Sequence, residues 1–175
     1  LKVFDFSADN DHEPDSNGEF TGATLNVGLF PESFTICSAI MVEAWITEFT
    51  SPDFVTLRGD DRYQWGMMQL YAADGYTQYQ VRLGPLEMTR TIPTLFFPLQ
   101  WTQACLSLDS IASKVSVVVD GQLLGEKEYK REEYKSTRPA NLSLLLGYYP
   151  DSGHEYEVKI ADLNVFNSSL SVERM

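Results

Sequence analysis

The sequence has 175 residues, 43% of them hydrophobic and 13% aromatic, which is one domain's worth of chain with enough apolar side chains for a buried core. Its 13 Lys and Arg stand against 25 Asp and Glu, a net charge of −12, which excludes phosphate-neutralising nucleic-acid binding and docking on anionic lipid as working readings. No apolar run reaches the ~18 residues of a membrane span, and neither a signal peptide nor an initiator Met opens the chain, so Leu1 reads as the start of a mature or excised segment.

Leu1 to Phe6 reads as a short strand with Val3 on one face and Phe4 and Phe6 on the other. Residues 7–19 hold Asp9, Asp11, Glu13, Asp15 and Glu19 with Pro14 and Gly18, an acidic loop. Ser33 to Ile46 is apolar without alternation, which predicts a central strand buried on both faces. Phe54–Leu57 and Trp65–Tyr71 follow, separated by the turn-like Gly59-Asp60-Asp61. Tyr79, Val81 and Leu83 alternate with Gln80 and Arg82, and Gly84-Pro85 ends that strand. Thr94–Phe97 and Cys105–Asp109 are two more strands. From Lys114 to Glu128, alternating valines lead to Asp120-Gly121, the residue pair that supplies the positive φ angles of a tight hairpin. Leu142–Leu146 and Val158–Phe166 complete the set. Helix is scarce, with one start at Ser171-Val172-Glu173-Arg174. Short strands between frequent turns predict an all-β sandwich of two antiparallel sheets in a single domain.

Cys37 and Cys105 each lie in a predicted core strand, 68 residues apart. Two readings are open: a staple between neighbouring strands, or two buried thiols of the kind common in cytosolic cores. Asn141-Leu142-Ser143 and Asn167-Ser168-Ser169 both fit the N-glycosylation acceptor pattern. Together they favour an extracellular domain, where the two cysteines are oxidised.

Motifs that would carry catalysis are weak. Glu13 with Asp15, and Glu155 with Glu157, are the nearest approach to the paired carboxylates of a jelly-roll glycosidase. Pro14 makes the first pair a loop, and the second lacks a third acidic partner and reads as a solvent-facing strand end. His12 and His154 lie in separate loops, with no nucleophile placed by spacing. No His/Cys cluster has zinc spacing and no glycine-rich phosphate loop occurs. The alternating acids from Asp9 fail the EF-hand pattern, because its sixth and twelfth places hold Pro14 and Phe20. Arg58-Gly59-Asp60 spells the integrin-binding tripeptide but reads as a chance occurrence beside a strand. Trp45 and Trp101 read as core, which leaves Tyr148 and Tyr149, after a strand end, as the aromatic candidates for stacking on a sugar ring.

The ordered set FPESFTIC, WTQACLSLD, KVSVVVDGQLLGEKEY, LSLLLGYYPD and IADLNVFNSSLS resembles the pentraxin domain from about residue 30 to 175. Laminin-G-like domains share its hairpin. The resemblance implies a concanavalin-like jelly roll with little helix and a disulfide between Cys37 and Cys105. It also implies that the chain is a segment of a longer protein, cut at Met175 inside the family's last helix and before its closing strand. Pentraxins hold phosphate or carbohydrate ligands through two calcium ions. Asp60 and Asp61 occupy the place of one part of the calcium ligand set. The larger part, an acidic and amide run after the Leu-Gly strand end, is here Tyr148-Tyr149-Pro150-Asp151, and only Asp151 matches. Calcium takes six to eight oxygens, so no metal cofactor is favoured, and Asp60, Asp61 and Asp151 stand as candidate calcium ligands only. The expectation is a non-catalytic extracellular recognition or adhesion module of a secreted or membrane-anchored protein. Its partners would be a protein or glycan, a second copy, or neighbouring domains of its own chain. A calcium-dependent lectin, a purely structural module and a glycosidase are the alternatives.

Overall fold

The computed structural model describes residues 3–5, 23–26, 31–42, 53–59, 64–73, 76–91, 99–146 and 158–175. Within them lie twelve strands. In chain order they are β1 (Val3–Asp5), β2 (Ala23–Asn26), β3 (Phe34–Val42), β4 (Asp53–Gly59), β5 (Gln64–Ala73) and β6 (Tyr76–Leu83). Then come β7 (Leu86–Thr91), β8 (Thr102–Asp109), β9 (Lys114–Val119), β10 (Gln122–Glu128), β11 (Leu142–Leu146) and β12 (Val158–Phe166). A two-turn helix, α1 (Arg131–Thr137), joins β10 to β11, and a single 3-10 turn covers Val172–Arg174. No helix among the described residues is long and apolar enough to cross a membrane.

The strands form two six-stranded antiparallel sheets, in the orders β1-β12-β3-β8-β9-β10 and β2-β11-β4-β5-β6-β7. This is the expected jelly-roll sandwich. Alternation builds its core. Ile36 and Ile40 of β3, Leu106 and Leu108 of β8, and Val115 and Val117 of β9 turn inward from the first sheet. They join Leu57 of β4, Val81 and Leu83 of β6, and Leu144 and Leu146 of β11 in one buried cluster. Each such side chain stabilises the fold by about 1.5–3 kcal/mol relative to exposure.

The Asp120-Gly121 hairpin forms as read. Val119 pairs with Gln122, and the two turn residues have φ of 47° and 74°, as a type I′ turn requires. β3 runs from Phe34 to Val42 with both faces largely buried. Gly84-Pro85 ends β6 as read: Gly84 has a positive φ and Leu83 pairs with Leu86. The returning strand β7 was not expected. Nor was β2, nor α1, which docks through Tyr134. One expectation is corrected. The helix start at Ser171 amounts to one 3-10 turn. The acidic loop at 7–19 and the strand at Thr94–Phe97 lie outside the described residues.

Candidate functional site

The outer face of the first sheet holds the one covalent crosslink. Cys37 and Cys105 sit directly opposite each other on β3 and β8 and are joined, with their Cα atoms 4.1 Å apart. That separation suits the close, non-hydrogen-bonded pairs of an antiparallel ladder. Closing a loop of this size stabilises by about 4 kcal/mol in the chain-entropy model. Val118 of β9 packs beside the two sulfurs, and Val172 and Met175 lie over them. The chain after β12 therefore crosses this face as a strap.

Two polar hubs hold the strap. The Thr35 hydroxyl, fully buried on β3, donates to the Ser168 carbonyl at 3.0 Å and accepts from the Leu170 N–H at 2.9 Å. Its second lone pair takes the Ser107 hydroxyl at 2.9 Å, which uses the group's full capacity. The Asp109 carboxylate at the end of β8 is the other hub. Its Oδ1 accepts from the Ile111 and Ala112 N–H groups at 2.8 and 2.9 Å, and its Oδ2 accepts from the Ser169 hydroxyl at 3.0 Å. The Ala112 hydrogen bond above all, with those of Ser169 and Ile111, holds this carboxyl below its usual range, against the opposing effect of its own desolvation.

At the α1 end, an aromatic row closes the sandwich. Trp65 meets Tyr134 edge-on at 5.2 Å, and Tyr134 lies 4.8 Å from Tyr129. Burial pushes the Tyr134 phenol upward. The Tyr129 hydroxyl donates to the Asp109 carbonyl at 3.3 Å, and Arg138 of the following turn donates to the Pro31 carbonyl at 2.8 Å. These groups dock α1 on the sandwich. An open groove of about 180 Å³ runs beside them, lined by Pro85, Lys127, Lys130 and Glu133.

The residues singled out from the sequence fare differently. Asp60, Asp61, Tyr148, Tyr149 and Asp151 lie outside the described residues, as do Glu155 and Glu157. The strands that lead to them are described. Gly59 ends β4 opposite Leu142, and Leu146 ends β11 opposite Val55. The described ends of these strands, Gly59 and Leu146, thus lie at opposite ends of β11. Arg58 lies within β4, paired with Ser143 on one side and Gln64 on the other, and Gly59 ends the strand opposite Leu142. Asn141 and Asn167 are exposed in bends that flank β11 and β12. Trp101 corrects the reading as core: it is 44% exposed, beside Leu99 at 68%. Its place at the open start of β8, set by tertiary position, leaves no local sequence signal. Trp65, by contrast, is 1% exposed.

No family model and no curated protein matches the sequence. Solved structures do match. A native heptameric SAP-like pentraxin from Limulus polyphemus superposes with a TM-score of 0.71 at 12% identity, over 98% of this chain and 78% of its own. The fold is pentraxin-like. The carbohydrate-binding module CBM40 of the Ruminococcus gnavus IT-sialidase, bound to α2,3 sialyllactose, gives 0.61 at 14% identity, over 87% of this chain and 90% of its own. The binding domain of botulinum neurotoxin DC in complex with SialylT gives 0.61 at 11% identity, over 98% of this chain and 40% of its own. The pentraxin-like jelly roll expected from the ordered sequence blocks is thus the fold observed, together with its Cys37–Cys105 disulfide.

Proposed function

We propose that this protein is a non-catalytic extracellular recognition module that binds a glycan or a protein surface. One observation carries the reading: a two-sheet jelly roll, with a cross-strand disulfide, that superposes over 90% of the sialyllactose-bound CBM40 of an IT-sialidase. A structural disulfide of this kind persists in oxidising compartments. In the same compartment Asn167 and Asn141, both exposed, are the proposed N-glycosylation sites. Exposed Trp101 and Leu99 offer apolar surface to a ligand. Tyr148 and Tyr149 are the further aromatic candidates. The reading takes binding to need no resident metal, since Tyr149 and Pro150 stand where the resembled calcium set has carboxylate and amide oxygens.

The test is a glycan array probed with the oxidised protein, first in calcium and then in chelator. Saturable binding to a defined glycan that survives chelation supports the reading. Binding lost on chelation reinstates the calcium-dependent lectin. A blank array directs the search to protein partners by crosslinking at the cell surface, and a blank there as well leaves the structural module.

A further inference from the structure

We propose that the strap Ser168–Met175 is a latch that gates access of thiol reductants to the Cys37–Cys105 disulfide. The two sulfurs lie on the outer face of the first sheet and not in the inter-sheet core. Their cluster, with Val118, is separate from the main one. On such a face they would meet solvent, yet Cys37 is 5% exposed and Cys105 1%. The strap supplies the difference. Val172 and Met175 lie on the cluster, and the Met175 carbonyl oxygen stands 3.7 Å from the Cys105 sulfur. A thiolate must approach a disulfide sulfur directly, and here a carbonyl oxygen and two apolar side chains occupy the approach.

The latch can open while the sandwich stays closed. Its named hydrogen bonds run from Ser168, Ser169 and Leu170 to two side chains, Thr35 and Asp109. The main core contributes no residue to the apolar cluster under the strap. Local opening of this kind has its own free energy, below that of global unfolding. Once the strap lifts, a thiolate attacks one sulfur, forms a mixed disulfide and expels the other as a thiolate, which takes a proton from water. A second thiol resolves the mixed disulfide. Two protein thiols are left, and the reductant is recovered as its own disulfide. The stapled fold thereby acquires a redox response set by the strap.

Reduction of the oxidised full chain by dithiothreitol tests this. Aliquots are quenched in acid, alkylated and read by intact mass. In one variant, Thr35→Val with Ser169→Ala, both hubs lose their hold on the strap. In a second, Val172→Asp, the apolar cover is lifted from a partly exposed position, so folding is preserved independently. The first loses three strap hydrogen bonds and the second the apolar cover, so both should be reduced at least about tenfold faster than wild type. Their oxidised forms should keep their thermal midpoints within a few degrees. Wild-type reduction should also accelerate only weakly in low urea. Equal rates in wild type and both variants would overturn the proposal. So would a wild-type rate as steep in urea as global unfolding, or one as fast as that of an exposed disulfide.

Discussion

Gly125→Ala should destabilise the sandwich through one collision, and Tyr79→Phe should undo the damage. Gly125 lies on edge strand β10, where its register against β9 shifts. A Cβ at this position would fall on the Tyr79 hydroxyl oxygen, far inside the 3.0 Å that real Cβ contacts respect. The ring carbon that bears the oxygen, at 3.4 Å, would be in ordinary contact. Tyr79 is fully buried on β6 and cannot swing aside. Overpacking of this kind costs about 1–3 kcal/mol. The Tyr79 hydroxyl has no hydrogen-bond partner, so Tyr79→Phe alone should be neutral or mildly stabilising. In the double variant the colliding oxygen is gone, and most of the loss should return, a coupling of about 1–2 kcal/mol. Urea unfolding of the four proteins, disulfide intact, measures it. Additivity within about 0.5 kcal/mol, or a neutral Gly125→Ala, would refute the contact between β10 and β6.

The same phenol sets an alkaline limit. Burial raises Tyr79 to about 12, so its contribution is complete below the unfolded value near 10 and is lost as pH rises from there toward 12. Tyr79→Phe should flatten that decline in a series of urea midpoints against pH. Asp109 acts at the other extreme. Its depressed carboxyl adds stability above the unfolded carboxylate range, and this is lost as pH falls through the folded value, so Asp109→Asn should flatten the acid limb. Trp101→Phe should remove an acrylamide-quenchable component of the fluorescence that Trp65→Phe leaves in place, since Trp101 is exposed and Trp65 is not; equal losses would contradict these placements. Replacing Cys37 and Cys105 together with Ala should cost at most about 4 kcal/mol, read as a fall in urea midpoint.

Where side-chain burial follows a period of two, the sequence is legible. Tyr79, Val81 and Leu83, or Val115, Val117 and Val119, face one core, and Asp120-Gly121 marks its own turn. The continuous run of β3 is legible too, and the strap gives the reason: Thr35 and Cys37 on the outer face are covered, so the strand carries no charged residue. α1 is illegible because it buries only Tyr134, and two turns of otherwise charged and polar residues carry no amphipathic stripe. β7 is hidden by its turn. Gly-Pro reads as a stop, and only the positive φ of Gly84 turns it into a hairpin. The disulfide was expected from compartment and resemblance, whereas its directly opposed register on β3 and β8 emerges only from the sheet. Of the candidate site, the exposure of Trp101 had no sequence signal, because it depends on tertiary position and not on local pattern.

Titration calorimetry of the oxidised protein with the strongest array ligand, followed by recovery of that ligand, tests the central claim most directly. A recognition module should give saturable heat at a fixed stoichiometry, and the ligand should return chemically unchanged. A ligand recovered cleaved, or a titration that never saturates, would contradict the account.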